Sequence, residues 1–129
     1  MNEYYSFLNI TGTLAFTKGE LLLGDYNLTA ETITGGSASS YAVMNGTGTV
    51  TVKNIGSTKK TFATGFTDSY NPVSITNTGT VRNFTLALSR EFGTGLNNRN
   101  LSVPVLFNLT PSGTGSICEA EFQINLRAR

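Results

Sequence analysis

Apolar and polar residues alternate with a period of two at several places along this chain, the spacing that sends successive side chains to opposite faces of an extended strand. At the C-terminus Cys118, Ala120, Phe122, Ile124, Leu126 and Ala128 share one side, and Glu119, Glu121, Gln123, Asn125, Arg127 and Arg129 share the other. A helix would scatter these residues around its axis. Leu101, Val103, Val105, Phe107 and Leu109 alternate in the same way, while Pro104, which lacks an amide hydrogen, marks an edge or a bulge. Phe84, Leu86 and Leu88 predict a third strand, Phe62 and Phe66 anchor a fourth, and Val50 and Val52 among Thr47, Thr49, Thr51 and Lys53 predict a fifth. The inward parity places Phe122 in the core, where truncation to alanine is expected to cost about 3 to 5 kcal/mol.

Turn residues punctuate these segments at 54–57, 77–79, 93–98 and 111–115, the last read as a hairpin-like connection. No stretch carries a helical stripe. The pattern predicts an all-β fold, an antiparallel β-sandwich of immunoglobulin-like or jelly-roll-like type. Gly-Thr-Gly occurs at positions 46, 93 and 113, but the separations share no period, so it reads as turn chemistry and not as an internal repeat. The chain has the length of one domain, with residues 1–16 as a terminal strand and 17–129 as the sandwich body. Leu8, Ile10, Leu14 and Phe16 share one parity, with Gly12 between them. Two placements fit that strand: the first strand of its own sheet, or a donor strand that completes a neighbour's sheet.

Composition narrows the function. Charged residues make up only 13% of the chain, and Thr, Ser, Asn and Gly take their place. The net charge of +1, with basic residues scattered, predicts no nucleic acid and no anionic membrane as partner. No run of about 18 apolar residues predicts a membrane span. Residues 1–30 lack the order of a secretory signal, which fits either a processed chain or one that starts at Met1, as a virion component would. Cys118 is the only cysteine and forms no intrachain disulfide.

There is no histidine, which removes the commonest general base, the commonest metal ligand and every Ser-His or Cys-His pair. Glu119 and Glu121 share a strand face at a separation that glycoside hydrolysis uses, but they read as solvated face charges. Asp25 and Asp68 form no calcium-loop motif. The expectation is no catalytic residue, no metal and no cofactor. With no Trp, a carbohydrate platform rests on Tyr26, Tyr41 and Tyr70 alone. Asn-x-Ser/Thr occurs at Asn9, Asn27, Asn45, Asn83, Asn100 and Asn108, the acceptor pattern for covalent glycans.

The run from Thr49 to Ser57, followed by Phe62, resembles a strand-turn-strand element that recurs in immunoglobulin-like sandwiches. Together with Thr13-Leu14-Ala15-Phe16 and a closing amphipathic strand, the layout is similar to bacterial biofilm-fibre subunits and archaeal bundling pili. The resemblance implies polymerisation by an N-terminal strand passed into the next subunit, with Leu8, Ile10, Gly12, Leu14 and Phe16 as that strand. The expected function is therefore a non-enzymatic subunit of an extracellular filament or pilus at the cell surface, partnered by copies of itself. A virion structural protein is the alternative, and a small carbohydrate- or protein-binding module the third reading.

Overall fold

The computed structural model describes residues 7–90 and 105–123. Fourteen strands and no helix are found among them, the all-β class that the alternation predicts. The strands stack on three faces around one core. On the first face β1 (Phe7–Asn9), β4 (Asn27–Ala30), β7 (Val50–Ile55), β12 (Arg82–Ser89) and β13 (Leu106–Pro111) lie side by side in that order. The second carries β2 (Thr13–Ala15) bonded to β5 (Thr32–Thr34), then the ladder of β8 (Lys60–Phe62), β11 (Val73–Asn77) and β14 (Cys118–Phe122). The third holds β3 (Leu21–Leu22), β6 (Ala42–Val43), β9 (Thr64–Phe66) and β10 (Ser69–Tyr70).

The first three circuits are a parallel coil. Leu8 pairs with Leu28 and Leu28 with Val50; Thr13 pairs with Thr32; Leu21 pairs with Ala42 and Ala42 with Thr64. Each circuit therefore advances the chain by 19 to 22 residues and by one strand width. After β9 the direction of winding reverses. β10, β11 and β12 retrace the third, second and first faces antiparallel to β9, β8 and β7, and β13 and β14 then lie antiparallel on β12 and β11.

The sheets are mixed, where the alternation predicts antiparallel ones. Every ladder between two of the first nine strands is parallel, and antiparallel ladders occur only where β10 to β14 take part. Alternation tells which side of a strand is dry, but it carries no information about which neighbour the strand takes or in which direction.

Register aligns like with like through the stack. Leu8, Leu28, Val50, Leu86 and Leu109 form one column across the first face, pointing into the core. Leu28, Val50 and Leu86 at its centre are fully buried. The adjacent outward column is Asn9, Thr29, Thr51, Thr85 and Thr110. Thr51 and Thr85 share a hydroxyl hydrogen bond of 2.8 Å, as do Thr61 and Ser74 on the second face. Rungs about 4.8 Å apart would set like charges directly against one another, whereas hydroxyls bond along the column. The low charge and the abundant threonine follow from that geometry.

Side chains also lock one corner of the coil. Asn45 Oδ1 accepts from the Gly24 amide at 2.7 Å, Asp25 Oδ1 from the Thr47 amide at 2.8 Å, and Asn27 Oδ1 from the Thr49 amide at 2.9 Å. Gly48 lies so close beneath the preceding circuit that a Cβ there would stand 2.0 Å from the Tyr26 carbonyl oxygen. The Gly-Thr-Gly at 46–48 is thus the place where one circuit rests on another. The amide and hydroxyl of Thr47 hold the Asp25 carboxyl below its ordinary range, and the side-chain Nδ2 of Asn54 does the same for Glu31. Lowered native values mean that the stabilisation is present above the unfolded carboxylate range and is lost as pH falls below it. Urea midpoints are expected to hold from pH 7 to about 5 and to fall below about pH 4, with a shallower fall in Asp25→Asn. An equally steep fall in that variant would show that the corner does not titrate with folding.

Three finer expectations change. Phe62 and Phe66 do not share a strand, since they stand in β8 and β9 on different faces. Residues 111–115 turn a corner between β13 and β14, which lie in different sheets, and form no hairpin. Cys118, Ala120 and Phe122 are exposed because β14 is the outermost strand of its ladder. Phe122 keeps 48% of its surface exposed and leans on Phe107 with ring centroids 4.7 Å apart. Residues 93–98, Leu101, Val103, Pro104, Ile124, Leu126 and Ala128 lie outside the described residues.

Candidate assembly site

The five residues expected to form a donor strand build the first circuit of the coil on their own chain. Leu8 in β1 stands opposite Leu28, and Leu14 in β2 stands opposite Ile33. The Ile10 amide donates to the Thr29 carbonyl at 2.8 Å, Gly12 accepts from the Glu31 amide at 3.1 Å, and the Phe16 amide donates to Thr34 at 2.9 Å. Phe16 is buried, and Ile10 and Leu14 pack against the core from its rim. A Cβ at Gly12 would meet nothing within 4 Å, so no close approach requires glycine there. Within the single chain the strand thus lies on the chain's own sheet.

Each end of the stack shows apolar side chains. At the first circuit Leu8 is 45% and Leu22 is 64% exposed. At the far end Leu106, Ile117 and Phe122 are exposed to a similar degree. Leu8 and Leu109 are the terminal members of a column whose interior members are sealed from water, so each lacks a described neighbour on one side. Sequence reasoning found the first end but missed the second. The signal was the recurrence of Gly24, Leu28 and Ala30 as Gly46, Val50 and Val52, offset by one circuit of 22 residues.

The glycan-acceptor asparagines scatter over the surface. Asn9, Asn27, Asn45 and Asn108 are exposed, Asn83 is half-buried, and Asn100 lies outside the described residues. Asn27, Asn45 and Asn83 each use Oδ1 to accept a backbone amide from a neighbouring strand or turn, which is a structural reason for asparagine at those positions. These bonds use the oxygen and not Nδ2, the atom a glycan would take.

A groove of about 380 Å³ opens on the second face where β5 and β8 lie at successive levels without a ladder between them. Thr32, Thr34, Thr61, Lys59 and Tyr70 line it. Its cations are engaged within the chain: Lys59 lies 3.4 Å from Glu121, and Lys60 donates to the Glu31 and Lys53 carbonyls at 2.8 Å. The tyrosines give no flat platform. Tyr41 is buried, donates its hydroxyl to the Phe66 carbonyl and tilts against Tyr70, while Tyr26 is exposed at the corner.

Among the described residues no helix is long and apolar enough to cross a membrane. Compared with known proteins, the chain matches no family model, no curated protein and no solved structure.

Proposed function

We propose that the chain is a non-enzymatic structural subunit that assembles with copies of itself into a filament outside the cell, at the cell surface. The observation that carries this reading is the repetition of one rung: aligned apolar columns run through the molecule and stop, partly exposed, at both ends. A stack of that kind gains by extension, because a terminal rung buried under another sheds apolar surface from water at about 25 cal/mol per Å². Its flanks carry hydroxyls and amides, which oppose close packing less than charges would. The acceptor asparagines fit a surface that meets glycosylating enzymes, and the layout resembling fibre subunits points the same way.

The test is electron microscopy and intact mass on native material. Filaments of one repeating subunit are expected, with added glycan mass. A species that stays solitary at every concentration would overturn the proposal, and an unmodified chain recovered from virus particles would replace it with the virion reading.

A further inference from the structure

The direction of the outermost strands says how copies would meet. On the first face β1, β4 and β7 are parallel, β12 opposes β7, and β13 opposes β12, so β13 runs in the same direction as β1. On the second face β14 opposes β11 and β11 opposes β8. β14 therefore runs in the direction of β8, and β2 in that of β5; β5 and β8 are in contact without a ladder and each follows a strand of the parallel pair β4 and β7, a winding that assigns all four strands one direction. Two reversals of the chain have restored, at the far end, the strand direction of the near end on both faces.

We infer that copies stack head to tail along the coil axis, β13 and β14 of one against β1 and β2 of the next, with both sheets continuing as parallel ladders. This rests on the filament reading and specifies its interface. The two surfaces differ from each other, so the contact is heterologous, and with no closure it propagates as a fibre. Leu109 of one copy would lie over Leu8 of the next, extending the buried column, and Phe122 would lie over the rung that carries Leu14. The two ends offer residues 7–22 and 105–123, somewhat fewer than the roughly 20 to 30 residues a side of a standard stable interface. Main-chain ladders on two faces supply what side-chain area alone would not.

The arrangement fixes a length. Five strands among the described residues on each of two faces, at about 4.8 Å each, give an axial rise of about 24 Å per subunit. It also fixes a cross-linking pattern, since Cα atoms on adjacent paired strands lie within disulfide range. With Cys118 replaced by serine, the double variant Leu8→Cys/Leu109→Cys, oxidised after assembly, is expected to give a ladder of covalent multimers on a non-reducing gel. Neither single variant should give one, because each cysteine would face a leucine. Dimers from either single variant would mean like ends meet and would overturn the head-to-tail contact. Filaments of the unsubstituted protein with a rise far from 24 Å, such as one set by a swapped N-terminal strand, would overturn it while leaving the filament reading intact. Absence of polymers from unsubstituted protein at every concentration would overturn both.

Discussion

Phe62→Ala is expected to cost about 3 to 5 kcal/mol of folding stability, and to lower the melting temperature by roughly 10 to 20 °C. Phe62 has no exposed surface and belongs to the one core cluster that all three faces share. Its strand stands at the middle level of the second face, paired with β11 on one side and packed next to β5 on the other. Rungs above and below fix the backbone, so the space left by the ring cannot collapse and remains as a cavity. Phe122→Ala, by contrast, is expected to cost only about 1 to 2 kcal/mol, since half of that ring already meets water and the loss is mainly its contact with Phe107. Chemical denaturation of the two variants side by side is the measurement. Equal losses would mean that β14 is a buried strand and not the outer one.

That pair of phenylalanines shows what a period-two pattern contains. Parity was legible: Val50 and Val52, Phe84, Leu86 and Leu88, and Phe107 and Leu109 all turn toward the core as their spacing predicts. Depth was not. Phe62 and Phe122 stand on the inward side of their strands, yet one lies at the middle of a stack and the other at its end, and a strand's rank in a sheet depends on residues far away in sequence. The same limit hid the coil. Its repeat is one of geometry, with Asn27-Leu28-Thr29-Ala30 lying beneath Thr49-Val50-Thr51-Val52. Few identities accompany it, because a rung needs only an apolar residue inside and a hydroxyl or amide outside.

The assembly site was half legible for a related reason. Leu8, Ile10, Leu14 and Phe16 announce an amphipathic strand, but no local pattern says whether its partner is β4 and β5 of the same chain or a groove in another. The composition was better evidence than any motif. Threonine-rich, charge-poor sequence is what stacked outward columns require, and the Thr29, Thr51, Thr85 and Thr110 column accounts for part of it.

Asn77→Asp is the second large effect, and it replaces one atom. Sequence reads Asn77 as a turn residue; the structure buries it to 1% exposure at a junction of three segments. Its Nδ2 donates to the Ile55 carbonyl at 2.9 Å and the Thr80 carbonyl at 2.8 Å. Its Oδ1 accepts from the Gly79 and Ile117 amides, each at 3.0 Å. One amide thus ties the end of β7 to the turn after β11 and to the chain entering β14. A carboxylate keeps both accepted bonds but removes the donation to the Ile55 and Thr80 carbonyls and sets a second oxygen against them, with only the Ser116 hydroxyl at 3.2 Å left as a side-chain donor to Thr80, an expected loss of about 3 to 5 kcal/mol at pH 7. Protonation restores one donor, so the aspartic acid is favoured in the native state and its native pKa lies above the unfolded value. Stabilisation from a raised group is present below the unfolded pKa and is lost as pH rises through the native one. The gap in urea midpoint between variant and parent is therefore expected to narrow as pH is lowered from 7 toward 4. A gap that stays constant across that range, or a loss below about 1 kcal/mol, would show that the Asn77 side chain does not donate into this junction.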